Sequence, residues 1–100
     1  MILELVQWTV KPNQRRDFES AFEQAQHILS NASGYRTHSF QKCLENPDKY
    51  ILLVQWETLE DHTVGFRDSE SYQKYRALLK PHYEAGATME HYVTVHEHAQ

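Results

Sequence analysis

The heptapeptide Tyr50-Ile51-Leu52-Leu53-Val54-Gln55-Trp56 constrains this chain more than any other stretch, because it is apolar on both parities. Successive side chains of an extended strand point to opposite faces of a sheet. Tyr50, Leu52, Val54 and Trp56 therefore share one face, and Ile51 and Leu53 share the other before Gln55. The N-terminal run Ile2 to Val10 has the same character, with Ile2, Val6 and Trp8 set against Leu3 and Leu5. Two such strands at the centre of a sheet need an apolar cover on each side. Right-handed crossovers place the helices of a small split βαβ unit on a single side. The other side would leave more apolar surface in water than soluble monomers usually expose. A second copy of the chain is the simplest cover, so a homodimer is expected.

The remaining elements follow from periodicity and breakers. Lys11-Pro12-Asn13 ends the first strand, and Pro12 suits a first helical turn. From about Asn13 to Asn31, the residues Phe18, Phe22, Ala25 and Leu29 recur at helical spacing, with Arg15, Arg16, Glu19, Glu23 and Gln26 between them. Gly34 suits the left-handed turn after this helix. Tyr35 to Leu44 reads as a second strand whose Arg36, His38 and Lys42 fit an edge position. A turn over Glu45-Asn46-Pro47-Asp48-Lys49 leads into the third strand. Thr58 with Asp61 forms a capping pattern for a helical region that breaks near Asp68-Ser69 and resumes through Tyr72, Tyr75, Leu78 and Leu79 to Pro81. A last strand is expected from about Ala87 to His96, with Ala87, Met89, Val93 and Val95 on one face. The predicted class is α+β: a ferredoxin-like split βαβ sandwich whose four-stranded antiparallel sheet carries helices on one face, with strands one and three in the centre. The segments Leu5-Val6-Gln7-Trp8-Thr9 and Leu53-Val54-Gln55-Trp56-Glu57 echo each other across the two halves.

One hundred residues with 40% hydrophobic side chains suit one domain, residues 1–100, and no second core. A net charge of −4 with interleaved signs argues against nucleic-acid or polybasic membrane partners. No apolar run reaches membrane-spanning length, and no signal-like leader precedes the first strand, so a cytoplasmic protein is expected. The three glycines, Gly34, Gly65 and Gly86, are isolated, which excludes a phosphate-cradling loop. Cys43 is the only cysteine and has no neighbouring base, and His96-Glu97-His98 places its imidazoles on opposite faces of a strand. Neither a metal site nor a thiol nucleophile is expected.

The run from Tyr50 through Trp56-Glu57-Thr58-Leu59-Glu60-Asp61-His62, then Gly65-Phe66-Arg67-Asp68-Ser69, Tyr72, Leu78-Leu79 and Glu90-His91-Tyr92, resembles the antibiotic biosynthesis monooxygenase family of dimeric α/β barrels. The likeness spans almost the whole chain and is strongest over residues 50 to 83. It implies the dimeric barrel fold, while the family's activities include cofactor-free quinol and anthrone oxidation, haem degradation and isomerisation. Members that oxidise polycyclic phenols use an Asn on the third strand, a Trp four residues later, a Tyr at the start of the next helix and an Arg further on. These fall on Leu52, Trp56, His62 and Arg76, so Trp and Arg are kept while Asn and Tyr are replaced. Leu52 cannot hydrogen-bond a substrate oxygen, and the detailed mechanism of those members does not transfer. The haem-degrading branch needs a first-strand Asn and a helical Trp that this chain lacks.

Among the residues themselves, His62 is the leading candidate base. Leu59, His62 and Phe66 follow at i, i+3 and i+7, so the imidazole is expected on the apolar face of its helix, poised to take a phenolic proton. Arg76 lies one turn after Tyr72 and could hold a substrate oxyanion. Trp56 and Trp8, read as neighbours on adjacent strands, would form an aromatic wall for the substrate, with Phe66, Tyr72 and His91 as further lining. The leading expectation is a cofactor-independent monooxygenase that oxidises a small aromatic phenol or quinol with O2. The alternative is a non-oxidative isomerase or a ligand-binding dimer of the same fold.

Overall fold

A computed structural model describes residues 1–100. The chain runs β1 (Ile2–Thr9), α1 (Arg15–Ser30), β2 (Tyr35–Lys42), β3 (Lys49–Trp56), a π-helical turn (Asp61–Phe66), α2 (Glu70–Leu79), a short 3-10 turn (Lys80–His82) and β4 (Thr88–Tyr92). The four strands form one antiparallel sheet in the order β2-β3-β1-β4. The two strands that are apolar on both faces are thus central, and the charged β2 lies at an edge. Helices α1 and α2 pack on one face of this sheet, the arrangement expected for a ferredoxin-like fold.

The stripe predicted for α1 is the stripe that is buried: Phe18, Phe22, Ala25 and Leu29, joined by Ala21. It meets Trp8, Tyr50, Leu52, Val54 and Trp56 from the sheet and Tyr75 and Leu79 from α2. Rings dominate this layer, and Phe18 makes edge contacts with Trp8 and Tyr50 at centroid separations of 5.3 Å each. Gly34 has φ +82°, and a β-carbon there would fall on the Asp61 side chain, so the turn after α1 needs glycine for both reasons. Asp61 in turn closes the expected cap, accepting from Thr58 N at 3.1 Å while its own N–H donates to Thr58 Oγ1 at 3.2 Å.

Four expectations are corrected. Pro12 lies outside α1: Val10 N donates to Asp48 O and Lys11 N to His82 O, which keeps the chain tied to its neighbours. The helix begins only after Asn13, whose φ of 65° cannot be helical. The last strand stops at Tyr92 rather than near His96. Its partner Leu3 is almost the first residue of β1, so no ladder remains for Val93 and Val95, which are 68% and 82% exposed. Leu59 is also exposed, whereas His62 and Phe66 are buried. The chain from His62 winds with an i+5 bond, Arg67 N to His62 O at 3.0 Å, so the spacing that would align Leu59 with them no longer holds. Finally, Trp8 and Trp56 do not adjoin. The antiparallel register sets Trp8 opposite Tyr50 and Trp56 opposite Ile2, six residues or about 20 Å apart along the strands.

Candidate active site

Alternation along β1 brings one acidic residue to the helix-covered face. Glu4 shares its parity with Val6 and Trp8 and is only 5% exposed. Across the ladder from it stand Val54 on β3 and His91 on β4. Trp56, fully buried at the end of β3, donates its indole N–H to Glu4 Oε1 at 2.9 Å. The π-helical turn then lowers His62 onto the same carboxylate, with Nε2 standing 3.3 Å from Glu4 Oε2. The other ring nitrogen, Nδ1, pairs with His91 Nε2 at 2.8 Å. The imidazole of His62 lies nearly parallel to Trp56, with centroids 5.3 Å apart and an interplanar angle of 25°.

Burial shifts both ionisable groups toward their neutral forms. It pushes Glu4 from 4.5 up to about 7, although the Trp56 N–H and the Arg67 charge pull in the opposite direction. His62 falls from 6.5 to about 4, first through burial and then through the charges of His91 and Arg67. Near neutrality the histidine is therefore uncharged, and the carboxyl group sits close to the midpoint of its titration. A pair placed this way can give or take a proton at small cost.

Glu4 and His62 both line a cavity of about 210 Å³ between sheet and helices. Trp8, Phe66, Tyr72 and Met89 supply apolar wall, and Arg67 and Arg76 stand at its exposed side. The Arg67 guanidinium lies 6.0 Å from the ring centre of Tyr72. No three His, Cys, Asp or Glu side chains converge in a way that would hold a metal ion.

Of the side chains singled out from sequence, His62, Arg76, Phe66, Tyr72 and Trp8 line this one cavity. Trp56 and His91 do not. The first stands behind Glu4 and His62, and the second pairs with His62 from the edge strand. Glu4 and Arg67 also line the cavity, beyond the residues expected from the sequence. Glu4 carried a usable signal, because it sits on the inward parity of a central strand, where a carboxylate is costly unless partnered. Arg67 carried none, since its position depends on the π-helical winding.

A family model described as antibiotic biosynthesis monooxygenase matches residues 1–78. The uncharacterised protein YczJ of Bacillus subtilis (strain 168) is 48% identical over 95 residues, covering 95% of this chain and all of that one. A solved Bordetella bronchiseptica structure named for the same family superposes with a TM-score of 0.90 at 31% identity, covering 94% of this chain and 96% of the other. SnoaB of Streptomyces nogalater, described as a cofactor-independent oxygenase, shares the fold with a TM-score of 0.83 at 11% identity, covering 96% of this chain and 94% of its own.

Proposed function

Because the chain belongs to the antibiotic biosynthesis monooxygenase family, we propose that it oxidises a small phenol or quinol with O2 and without a cofactor. The observation that carries this reading is the buried Glu4–His62 pair on the wall of an apolar cavity. Such a pair removes a phenolic proton in a dry site, where the resulting anion is electron-rich and poorly solvated. The anion's ring carbon then bonds to O2, and the peroxide takes up a proton. Loss of water, with the hydrogen left on that carbon, gives the quinone. One oxygen atom enters the product and the other leaves as water. Arg76, joined by Arg67, offsets the developing negative charge, while Trp8, Phe66 and Tyr72 hold the ring. The description of SnoaB as a cofactor-independent oxygenase supports the class of reaction. A cavity of about 210 Å³ is smaller than most drug-sized sites and favours a substrate of one or two rings.

Oxygen uptake with a panel of naphthoquinols and anthrones tests this proposal. The expected result is consumption of one O2 per quinone formed, with naphthoquinols turned over faster than larger anthrones. Tight binding across the panel with no oxygen uptake would overturn it and leave the isomerase or ligand-binding reading in its place.

The proposal includes a homodimer. The sheet face without helices presents Leu3, Leu5, Ile51 and Leu53 at its centre, all half-buried, with Thr37, Gln41, Gln55 and Glu90 around them. An apolar centre with a polar rim is the anatomy of a protein interface, and a second sheet of the same chain would match it. Leu53→Glu places a charge in that centre without disturbing the helix-covered core. A folded monomer of 11.9 kDa is expected from this variant, where the unsubstituted chain sediments at twice that mass. Equal sedimentation of the two at micromolar concentration would rule the interface out.

A further inference from the structure

The site contains two groups able to take a proton, and the geometry distinguishes them. Both ring nitrogens of His62 are committed: Nδ1 to His91 at 2.8 Å, and Nε2 directed at Glu4 Oε2 at 3.3 Å. Turning the ring to free either nitrogen would break its stacking on Trp56 and the bond to His91 together. The Glu4 carboxylate is different, because each of its oxygens has two acceptor sites. Trp56 occupies one on Oε1 and His62 faces one on Oε2, which leaves capacity on a group that lines the cavity. Resting on the oxygenase reading above, we propose that Glu4 is the catalytic base that takes the hydroxyl proton of the bound phenol. Trp56, His62 and His91 are positioning residues that hold the carboxylate in place and bond to it or to one another.

The step is a single proton transfer. The phenol O–H bond breaks, a Glu4 O–H bond forms, and the negative charge moves from carboxylate to phenolate beside Arg67 and Arg76. The same proton is available afterwards for the peroxide oxygen, so Glu4 is ionised again when water leaves. The charged and titratable groups around Glu4 are His62 and Arg67 from the π-helical turn and its end, Tyr72, Tyr75 and Arg76 from α2, Tyr83 beyond the 3-10 turn, and His91 from β4. Tyr75 is itself buried, and its hydroxyl is pushed well above the ordinary range by burial and by Glu4, so it remains protonated and does not compete as a base.

The assignment is tested without turnover by binding a chromogenic naphthol in the absence of O2 and reading its ionised fraction from its absorption. The unsubstituted protein should bind the naphthol and ionise it. Glu4→Gln should still bind it but lower the ionised fraction at least tenfold. His62→Gln, which keeps an amide donor toward the carboxylate, should still ionise the naphthol, whereas His62→Phe should move the transition to higher pH because the carboxylate loses its partner. Ionisation by Glu4→Gln equal to that of the unsubstituted protein would overturn the assignment and leave the oxygenase reading standing. So would loss of ionisation in His62→Gln with Glu4 intact. No naphthol binding by the unsubstituted protein would overturn the oxygenase reading and the assignment with it.

Discussion

Trp56→Ala is expected to lose about 3–5 kcal/mol of folding free energy, the usual cost of truncating a fully buried tryptophan. The side chain is 0% exposed and packs against Tyr35, His62 and Phe66. Its loss also removes the N–H donor from Glu4 Oε1, leaving a buried carboxyl group with one partner fewer. A domain of this size has about 5–15 kcal/mol in total, so the variant should unfold at markedly lower urea. Trp56→Phe restores most of the volume but not the donor, and should recover a large part of the difference. A Trp56→Ala midpoint within error of the unsubstituted chain would mean that the indole is not the support for Glu4 described above.

The second large effect lies in the pH dependence of stability. Glu4 is raised from 4.5 to about 7 in the folded chain. Between those values the folded state holds a proton that the unfolded state has lost, so this group makes stability fall as pH rises. His62 is lowered from 6.5 to about 4. Here the unfolded state holds the extra proton, so this group makes stability rise with pH. The two windows overlap between 4.5 and 6.5, where the effects oppose each other and the pair contributes almost no slope. Glu4→Gln removes one side of that balance. Its stability relative to the unsubstituted chain should fall on acidification through this window, by at most about 1.4 kcal/mol per pH unit, the slope for one proton. His62→Gln should show the reverse, losing relative stability as pH rises from about 4 toward 6.5. Urea titrations at half-unit steps measure both. Parallel profiles for all three proteins would show that burial does not shift this pair.

Both experiments turn on residues whose places were not equally legible. The helical stripe Phe18, Phe22, Ala25 and Leu29, the central strands and the charged edge strand could all be read from the sequence, because periodicity fixes which face a side chain takes once the element is known. Trp8, Tyr72 and Arg76 line the expected cavity for the same reason, while His62 and Phe66 reach it through the π-helical turn. The errors arose where a position depends on a partner distant in the chain. Alternation on adjacent strands suggested neighbouring indoles at Trp8 and Trp56, but antiparallel pairing aligns Leu5 with Leu53 and sends the two rings to opposite ends.

What the sequence determined by itself is therefore the order of elements, their buried faces and the excess of apolar surface on the sheet, since each follows from local spacing and from residue type. The tertiary structure alone decided where β4 ends, because a strand persists only while it has a partner, and β1 runs out at its start. It also decided the chemistry of the site. Glu4, Trp56, His62 and His91 come from four separate elements, and their bonds exist only once strand register and the π-helical winding have been set together. Burial by that same packing moves Glu4 and His62 in opposite directions on the pH scale, and no neighbour in sequence supplies the low-polarity surroundings that cause it.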